Sequence, residues 1–512
     1  MMRKLFLLIL PIVLLTLAVM ALVVKLQPEN QTVTLTVGLA APLSGPFQAV
    51  GESMRRGAAL AVKETNERLE LGRFRLRLES ADDRSGLKVK NAAIESAHKL
   101  VSIDSLIGVV GHYFSTPTMD TSRIYQRRQV PVITPTATNP KVTAGSDWSF
   151  SMIPDDFHQA IFLANYVIHG LNRRKIGIIY SKNPYGQSLA GYFGKELEIR
   201  GVTPTLRHQI DHISYSPDAL APAYEAIRES EIIFLAMNYK TAAKVIKQLK
   251  HEGIKSEFIG AESMGGPHFI REAGIDADNV YAVAPYLPNL FGELSERYRT
   301  NFIRTYQRRP DWVATNSYEA VKVLVHAIKK VGPDPVAIRN YLRKTTQEVD
   351  AIPGVAGDIY FNPYGASRRP VAIGQVKEGR FLPARFQLTY VKYPELAKAR
   401  RHKSPIVKID GRYAKRTTVV FTGIHVNDVR AFDPIESHFE ADFLLWFRWD
   451  PDQNKKLNFE MTHGEVLNAK IREKYFDKKT RNNFIAYSVS ARMEGVFPLH
   501  DFPFDQQILK IR

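Results

Sequence analysis

From Thr32 onward, short apolar runs alternate with amphipathic segments, and this rhythm is the strongest constraint on the fold of the chain. Val33–Leu39 and Leu106–Val110 have the length and apolar content of strands. Segments 50–68 and 88–101 have helical spacing. Strands that alternate with helices of this length form parallel sheets covered by helices. The first part of the chain is therefore predicted to be α/β.

The same rhythm restarts after Pro154. Further apolar runs at Lys175–Tyr180, Glu231–Ala236 and Glu257–Gly260 are each preceded by a segment with helical spacing. Two such series predict two sheets and hence two lobes. Ligands of open α/β sheets bind beyond the carboxyl ends of the strands. Two facing lobes would therefore share one site in the cleft between them.

The composition and the hydrophobic pattern of the sequence change towards the C-terminus. Residues 389–416 are basic and contain prolines, which indicates a linker. From Thr417 the pattern is almost entirely that of strands, as in Phe439–Trp449. We therefore predict a two-lobed α/β domain over 33–388 and a smaller all-β sandwich domain over 417–512. A chain of 512 residues is long enough for several domains.

The N-terminal segment 1–30 indicates the compartment. Arg3 and Lys4 precede an apolar run from Leu5 to Val24, and roughly 20 apolar residues suffice to span a bilayer as a helix. Basic residues before the run favour a cytoplasmic N-terminus. The segment is predicted to be a membrane anchor, with a cleaved signal peptide as the alternative. Either places the remainder on the extracytoplasmic, periplasmic face, and the anchor would hold it at the inner membrane.

Composition excludes several classes of function. The chain has no cysteine, so disulfides and thiolate chemistry are absent. Its net charge is +18, but the basic run 398–403 lies in the predicted linker without a nucleic-acid-binding motif, which argues against such a partner. The glycine-rich segments lack nucleotide fingerprints, so no cofactor is expected. His112 and Ser115 have no third triad member and no metal spacing occurs, so the sequence does not predict an enzyme.

Polar residues follow several of the predicted strands. Ser115 and Thr138 lie in loops rich in small hydroxyl residues, where neutral donors and helix N-termini suit a carboxylate. The alternative is that both merely cap helices. Glu262 follows a buried strand and could hold an ammonium group, or it could be a solvated loop carboxylate. Tyr185 and Asn238 lie at comparable strand ends in the second lobe.

Five segments together resemble the leucine/isoleucine/valine-binding proteins of ABC importers, which are type I periplasmic binding proteins. They are Val37–Pro46, Gly111–Ser115, Ile133–Pro140, Asn183–Gly186 and Gly260–Glu262. The resemblance covers about residues 33–388 and implies a two-lobed fold that closes on a small amino acid or amide.

The resemblance also implies roles for individual residues. Ser115 and Thr138 would take the ligand carboxylate, and Glu262 the α-ammonium. The remaining implied contacts are the backbone of Thr136 or Ala137 near the carboxylate, Tyr185 and Asn238 closing from the second lobe, and Phe47 and Tyr113 around the side chain. The family often has an aromatic residue at the position of Asn238, which leaves the side-chain preference open.

The C-terminal part resembles a different family. Ile424–Asp433, Phe439–Trp449 and Phe502–Gln507 are similar to segments of the extracellular domain of prokaryotic pentameric ligand-gated ion channels. The stretch between Trp449 and Phe502 is short for that family, and no pore helix follows in this sequence. The resemblance therefore implies a sensing domain without a pore of its own, or a fragment, and a homo-pentamer.

Two functions fit these features. One is a receptor that passes cleft closure to the β domain. The other is a membrane-tethered subunit that delivers its ligand to an ABC permease, for which the tether and the β domain are not needed.

Overall fold

The structure is a computed structural model that describes residues 32–85, 89, 91–211, 213–287, 292–391, 406–449, 459–478 and 482–495. The predicted anchor 1–30 and the segment Phe502–Gln507 lie outside the described residues. In the part of the chain that is described, no helix is both long enough and apolar enough to cross a membrane.

The described chain contains nineteen strands and twelve α-helices. The strands are β1 Val33–Ala41, β2 Phe74–Asp82, β3 Leu106–Gly111, β4 Val132–Thr134, β5 Ser149–Ser151, β6 Ile176–Ser181, β7 Leu206–Ile210, β8 Ile232–Ala236, β9 Glu257–Gly260, β10 Tyr281–Val283, β11 Ile373–Lys377, β12 Arg380–Pro383, β13 Phe386–Tyr390, β14 Ile406–Ile409, β15 Arg412–Thr418, β16 Phe421–Asp433, β17 His438–Trp449, β18 Gly464–Asp477 and β19 Asn482–Glu494. The helices are α1 Gln48–Glu67, α2 Ala92–Val101, α3 Ser115–Arg127, α4 Lys141–Ala144, α5 Asp156–Asn165, α6 Pro184–Ile199, α7 Tyr224–Glu229, α8 Tyr239–His251, α9 Pro267–Ala273, α10 Glu293–Tyr306, α11 Trp312–Val331 and α12 Pro335–Lys344.

The described residues divide into two compact units. The first ends at Leu382 and omits Asn165–Arg173, which group with the second unit from Pro383 onward. The Tyr166 hydroxyl donates a hydrogen bond of 3.0 Å to the carbonyl of Phe386, which ties this short segment to β13.

The first unit contains two lobes, and the predicted α/β class is confirmed. Lobe 1 is built on a parallel sheet in the order β2-β1-β3-β4-β5. Lobe 2 is built on a sheet in the order β12-β11-β10-β9-β8-β6-β7, in which β11 runs antiparallel to β10. Central strands such as β3 and β8 are buried along their whole length, as parallel strands covered on both faces must be.

Lobe 1 depends on close packing between two long helices. α1 and α11 lie against each other beside the sheet. Gly57 of α1 approaches α11 so closely that a Cβ atom would lie 1.9 Å from the carbonyl oxygen of Ala314. The missing side chain is therefore what allows the two backbones to meet.

The second unit contains two antiparallel sheets, in the orders β13-β15-β14 and β16-β17-β19-β18. In the larger sheet, β17 and β19 pair so that Phe439 lies opposite Met493 and Phe443 opposite Val489. These residues form a small apolar core with Ala441 and Ala491. The strand predicted over Phe439–Trp449 corresponds to β17 of this central pair.

One feature of the second unit differs from the sequence prediction, and one of its strands has an unusual burial pattern. Part of the predicted linker 389–416 forms β14 and β15, which pair with each other and, through β15, with β13. Basic side chains of this segment pack on aromatic rings, and the guanidinium of Arg412 lies 3.8 Å from the Tyr390 ring centroid. The basic composition therefore belongs to folded strands here and not to a linker. β18 carries no buried residue, so it lacks the apolar alternation by which strands are recognised.

Gly57→Ala is expected to lower the free energy of unfolding by about 3 kcal/mol, because the added methyl group meets backbone that cannot move aside. Gly191→Ala in α6 is the matched control, since its Cβ would meet no atom within 4 Å. That change should stabilise by about 0.5–1 kcal/mol through helix propensity. Calorimetric unfolding of the two variants measures the contrast, and equal melting temperatures would contradict the packing described here.

Candidate functional site

A cavity of about 760 Å³ lies between the two lobes of the first unit. Its wall is formed by segments that follow β1, β3 and β4 in lobe 1 and β6, β8 and β9 in lobe 2. Every residue predicted from the sequence lines this cavity except Ala137, which is buried. The lining residues among them are Phe47, Tyr113, Ser115, Thr136, Thr138, Tyr185, Asn238 and Glu262.

Ser115 is the first residue of α3, and it does not cap that helix. The cap position is Phe114, which has no side-chain cap bond. The Ser115 hydroxyl oxygen instead accepts a hydrogen bond of 3.2 Å from the main-chain N–H of Asn139. Because the oxygen accepts this bond, the hydroxyl proton is left to donate into the cavity. The first-turn N–H groups of α3 lie at the same place, so this corner suits an anionic group.

The loop after β4 is organised by Thr134. Its hydroxyl donates to the carbonyl of His112 at 2.9 Å and accepts from the N–H groups of Thr136 and Ala137 at 3.3 and 3.0 Å. Both N–H groups are therefore already bonded within the loop, and the expectation that the backbone of Thr136 or Ala137 lies near a ligand carboxylate stays a prediction. The Thr136 hydroxyl is also engaged, donating to the carbonyl of Tyr113 at 2.8 Å.

The hydroxyl of Thr138 differs from those of Thr134 and Thr136 in its hydrogen bonding. This hydroxyl is buried and has no hydrogen bond of normal geometry among the described residues, although it lies near enough to the Asp156 carboxyl to lower the pKa of that group in part. It is not a helix cap, since the side-chain oxygen of the next residue, Asn139, accepts from Lys141 N–H at 3.0 Å instead. A buried hydroxyl without a partner is costly, so Thr138 is poised to contact another molecule.

Glu262 begins the short 3₁₀ turn after β9 and is almost completely buried. Burial raises its pKa to about 7, and the hydroxyl of Tyr185, the main-chain N–H of Glu262 and the side chain of Gln159 each lower it in part. Its Oε2 atom and the Tyr185 hydroxyl nevertheless have no hydrogen bond of normal geometry in the described chain. Glu262 is therefore a buried acceptor rather than a solvated loop carboxylate.

Asn238 has a structural role at the cavity wall. It caps α8, accepting from the N–H groups of Lys240 and Thr241 at 3.0 and 3.1 Å, and its amide donates to the Thr241 hydroxyl at 3.0 Å. Its side-chain hydrogen-bonding capacity is thus largely spent on the helix. The side chain therefore has little hydrogen-bonding capacity left for a ligand. The expectation that Asn238 closes on a ligand stays a prediction.

Aromatic rings form one wall of the cavity. Phe47 contacts Phe114 edge to face at a centroid distance of 4.8 Å and Tyr239 at 5.8 Å. Trp312, the first residue of α11, also lines the cavity. The sequence did not single out Trp312, because it lies outside the loops that follow strands and is brought there by the Asp311 cap of α11.

Other contacts join the two lobes at the rim. The Asn139 amide donates to the carbonyl of Pro184 at 3.0 Å. His268 of α9 lies 3.0 Å from Asp311, and Ser53 of α1 donates to the same carboxylate at 2.7 Å. The same His268 Nε2 atom lies near both Ser53 and Asp311. A catalytic triad needs the imidazole between serine and aspartate, with a different ring nitrogen facing each, so this trio is not a triad.

His112, which the sequence raised as a weak catalytic candidate, supports the fold instead. Its Nδ1 atom lies 2.8 Å from Asp83 and its Nε2 atom 3.2 Å from the Tyr125 hydroxyl, and the side chains of His112 and Asp83 are fully buried. Within the described ranges, no group of three or more His, Asp or Glu is arranged to hold a metal ion.

Comparison with known proteins identifies relatives of the first unit. The sequence matches the family described as periplasmic binding protein over residues 34–380. An amino acid binding protein of Pseudomonas aeruginosa is 26% identical over 320 residues, covering 60% of this chain and 82% of that protein. Leu/Ile/Val-binding protein homolog 1 of Brucella abortus is 27% identical over 341 residues, covering 65% of this chain and 88% of that protein. The crystal structure of a leucine-binding protein of Thermotoga maritima shares the fold, with a TM-score of 0.61 at 21% identity, covering 68% of this chain and 97% of that one.

Thr134→Val is expected to cost about 2 kcal/mol of stability, because it leaves two buried N–H groups and one carbonyl without their partner. Thr121→Val is the control, since the Thr121 hydroxyl bonds carbonyls of its own helix that keep other partners. Calorimetric unfolding compares the two. A Thr134→Val variant as stable as Thr121→Val would show that the hydroxyl does not organise the loop.

Proposed function

Since the chain belongs to the periplasmic binding protein family, we propose that its first unit binds a small amino acid or amide in the cleft between its lobes. In this proposal the protein is a non-catalytic, extracytoplasmic receptor. The family name and the relatives' names support both the compartment and the ligand class.

The observation that carries the proposal is the separation of donors from acceptors in the cavity. Ser115 and the N-terminus of α3 offer donors at one corner. Glu262 and Tyr185 offer partnerless buried oxygens at another. A zwitterion with a carboxylate and an ammonium group pairs both sets, so that neither charge is buried unpaired.

The proposed roles follow from these positions. Ser115 donates to the ligand carboxylate, and Glu262 accepts from the ammonium group with Tyr185 beside it. Thr138 contacts the ligand through its partnerless hydroxyl. Phe47 and Tyr113, together with the aromatic wall that includes Trp312, surround the ligand side chain. An aromatic wall favours an apolar side chain.

We propose further that the second unit receives the signal. Hinge closure of the lobes would alter β16–β19, which contain two of the segments that resemble channel extracellular domains. The anchor at 1–30 would hold the chain at the inner membrane, and the channel resemblance suggests a homo-pentamer.

The alternative function is a membrane-tethered subunit of a branched-chain-type ABC importer. The Brucella abortus relative, named as a Leu/Ile/Val-binding protein homolog, fits this function as well as it fits the receptor. In that case a permease would be the partner, and ligand closure would leave the second unit unchanged.

Leucine and other amino acids are expected to bind the full chain in calorimetric titrations. Glu262→Gln should weaken binding about 100-fold, because a charge-assisted hydrogen bond of about 3 kcal/mol is lost. Glu225→Gln, which removes an exposed carboxylate of α7, should leave the affinity unchanged. If no amino acid binds, or if the two variants behave alike, the site assignment fails.

The affinity is also expected to depend on pH. The pKa of Glu262 is raised to about 7, so lowering the pH through 7 protonates the carboxylate that the ammonium group needs. Affinity should therefore rise between pH 6 and pH 8 and then level off. Titrations at several pH values measure the profile, and Glu262→Gln should flatten it.

Hydrogen exchange separates the two functions. The receptor predicts that ligand changes amide protection in β17 and β19, whose backbones pair over twelve residues. The importer subunit predicts changes in the first unit only. Exchange measured with and without leucine distinguishes them.

A further inference from the structure

His268 forms a contact between the two lobes outside the cavity that a ligand would fill. It is the second residue of α9 in lobe 2, and it does not line that cavity. Its Nε2 atom lies 3.0 Å from the carboxylate of Asp311, the cap residue of α11 in lobe 1. Both side chains are only 10% exposed. A nearly buried contact between a histidine and an acid therefore joins the two lobes.

The carboxylate of Asp311 is held in place and in its ionised form. Its Oδ1 atom accepts from the N–H of Ala314 at 2.8 Å, and its Oδ2 atom accepts from the Ser53 hydroxyl at 2.7 Å. Burial would raise the pKa of Asp311, but His268, the cap N–H and the Ser53 hydroxyl hold the pKa below its ordinary value. An ionised carboxylate only accepts hydrogen bonds, so the Nε2 atom of His268 carries a proton and donates it.

The acceptor of this hydrogen bond is organised within lobe 1. Ser53 lies on α1, Asp311 and Ala314 lie at the start of α11, and these two helices pack against each other. The donor, His268, belongs to lobe 2. Separation of the lobes would therefore break the bond from His268 and leave the bonds within lobe 1 intact. A charge-assisted hydrogen bond that exists only in the closed form shifts the equilibrium towards closure.

The contact lies directly behind the wall of the ligand cavity. A small cavity of about 10 Å³ is lined by His268, Ser263 and Trp312, and the last two also line the large cavity. The His268 ring lies 6.0 Å from the ring of Tyr239, which in turn contacts Phe47 of lobe 1 at 5.8 Å. The aromatic contact and the histidine contact thus join the same parts of the two lobes.

We propose that the hydrogen bond from His268 to Asp311 is a latch, which holds the lobes closed without touching the ligand and so determines how slowly the ligand leaves. This deepens the proposed function and rests on it. Because the latch stabilises only the closed form, its loss raises the rate of ligand release and leaves the rate of association almost unchanged. The latch does not contact the ligand, so its loss affects the release of different amino acids by a similar factor.

The first experiment measures the release of leucine from the full chain by stopped-flow displacement. His268→Leu removes the donor and should speed release about tenfold, the effect of one hydrogen bond to a charged group. His326→Leu is the matched control, because the Nε2 atom of His326 lies 3.0 Å from the Tyr341 hydroxyl, between α11 and α12 of the same lobe. The control should release leucine as the unmodified chain does. Equal release rates in the two variants overturn the latch.

The second experiment tests whether His268 acts through Asp311. Asp311→Asn removes the charge but keeps the cap of α11, because an asparagine side chain also accepts from the N–H groups of a first turn. In the Asp311→Asn chain, His268→Leu should speed release only about threefold, the effect of a hydrogen bond between neutral groups. A double-mutant cycle measures this coupling. A tenfold effect of His268→Leu in both chains shows that the histidine acts elsewhere and overturns the latch.

Asp311→Asn by itself covers the case in which His268→Leu does not fold. It weakens the same hydrogen bond from the other lobe and should speed the release of leucine severalfold. Release from Asp311→Asn at the rate of the unmodified chain overturns the latch.

Lobe separation without ligand distinguishes failure of the latch from failure of the proposed function. Because the sequence has no cysteine, Gln126→Cys on α3 and Ile199→Cys on α6 provide one exposed position for a spin label in each lobe. Distances measured by electron resonance in the full chain should show fewer closed lobes with His268→Leu than with His326→Leu. Identical distance distributions overturn the latch. A chain that binds no amino acid but separates its lobes in this way refutes the proposed function and retains the latch.

Discussion

Parallel sheets must be covered on both faces, and this constraint determines where the molecule can interact with a ligand. In lobe 1 the helices α1, α2, α3 and α11 pack about a sheet whose central strands are buried throughout. What remains for chemistry is the set of loops at the carboxyl ends of the strands. Because each lobe offers such an edge and the two edges face one cavity, residues from six strand ends meet there.

That constraint explains why so much of the site could be predicted. Ser115, Thr138 and Glu262 each follow a strand that is recognisable as a short apolar run, so their proximity follows from topology alone. The two-lobed fold was predictable for the same reason, since helical and strand spacings alternate clearly over this part of the sequence. The strands of the second unit were harder to predict from the sequence, because β18 is exposed on both faces and has no apolar periodicity.

The direction of the hydrogen bonds could not be predicted. Whether the N–H of Ala137 is available depends on the hydroxyl of Thr134, and whether Asn238 can reach a ligand depends on the cap of α8. In both cases several local hydrogen-bond arrangements are about equally favourable, so the sequence alone does not select one.

Burial of the Glu262 carboxyl gives the cleft a physical reason to respond to its ligand. A site made only of neutral donors would gain little selectivity, because ligands with and without an amine would satisfy them similarly. Glu262 changes this, since its ionised form is costly in a dry cleft and is stabilised by a nearby cation. A ligand shifts a conformational equilibrium only through its different affinity for the two states. In the proposed function Glu262 supplies that difference, because an ammonium group stabilises its ionised form in the closed cleft.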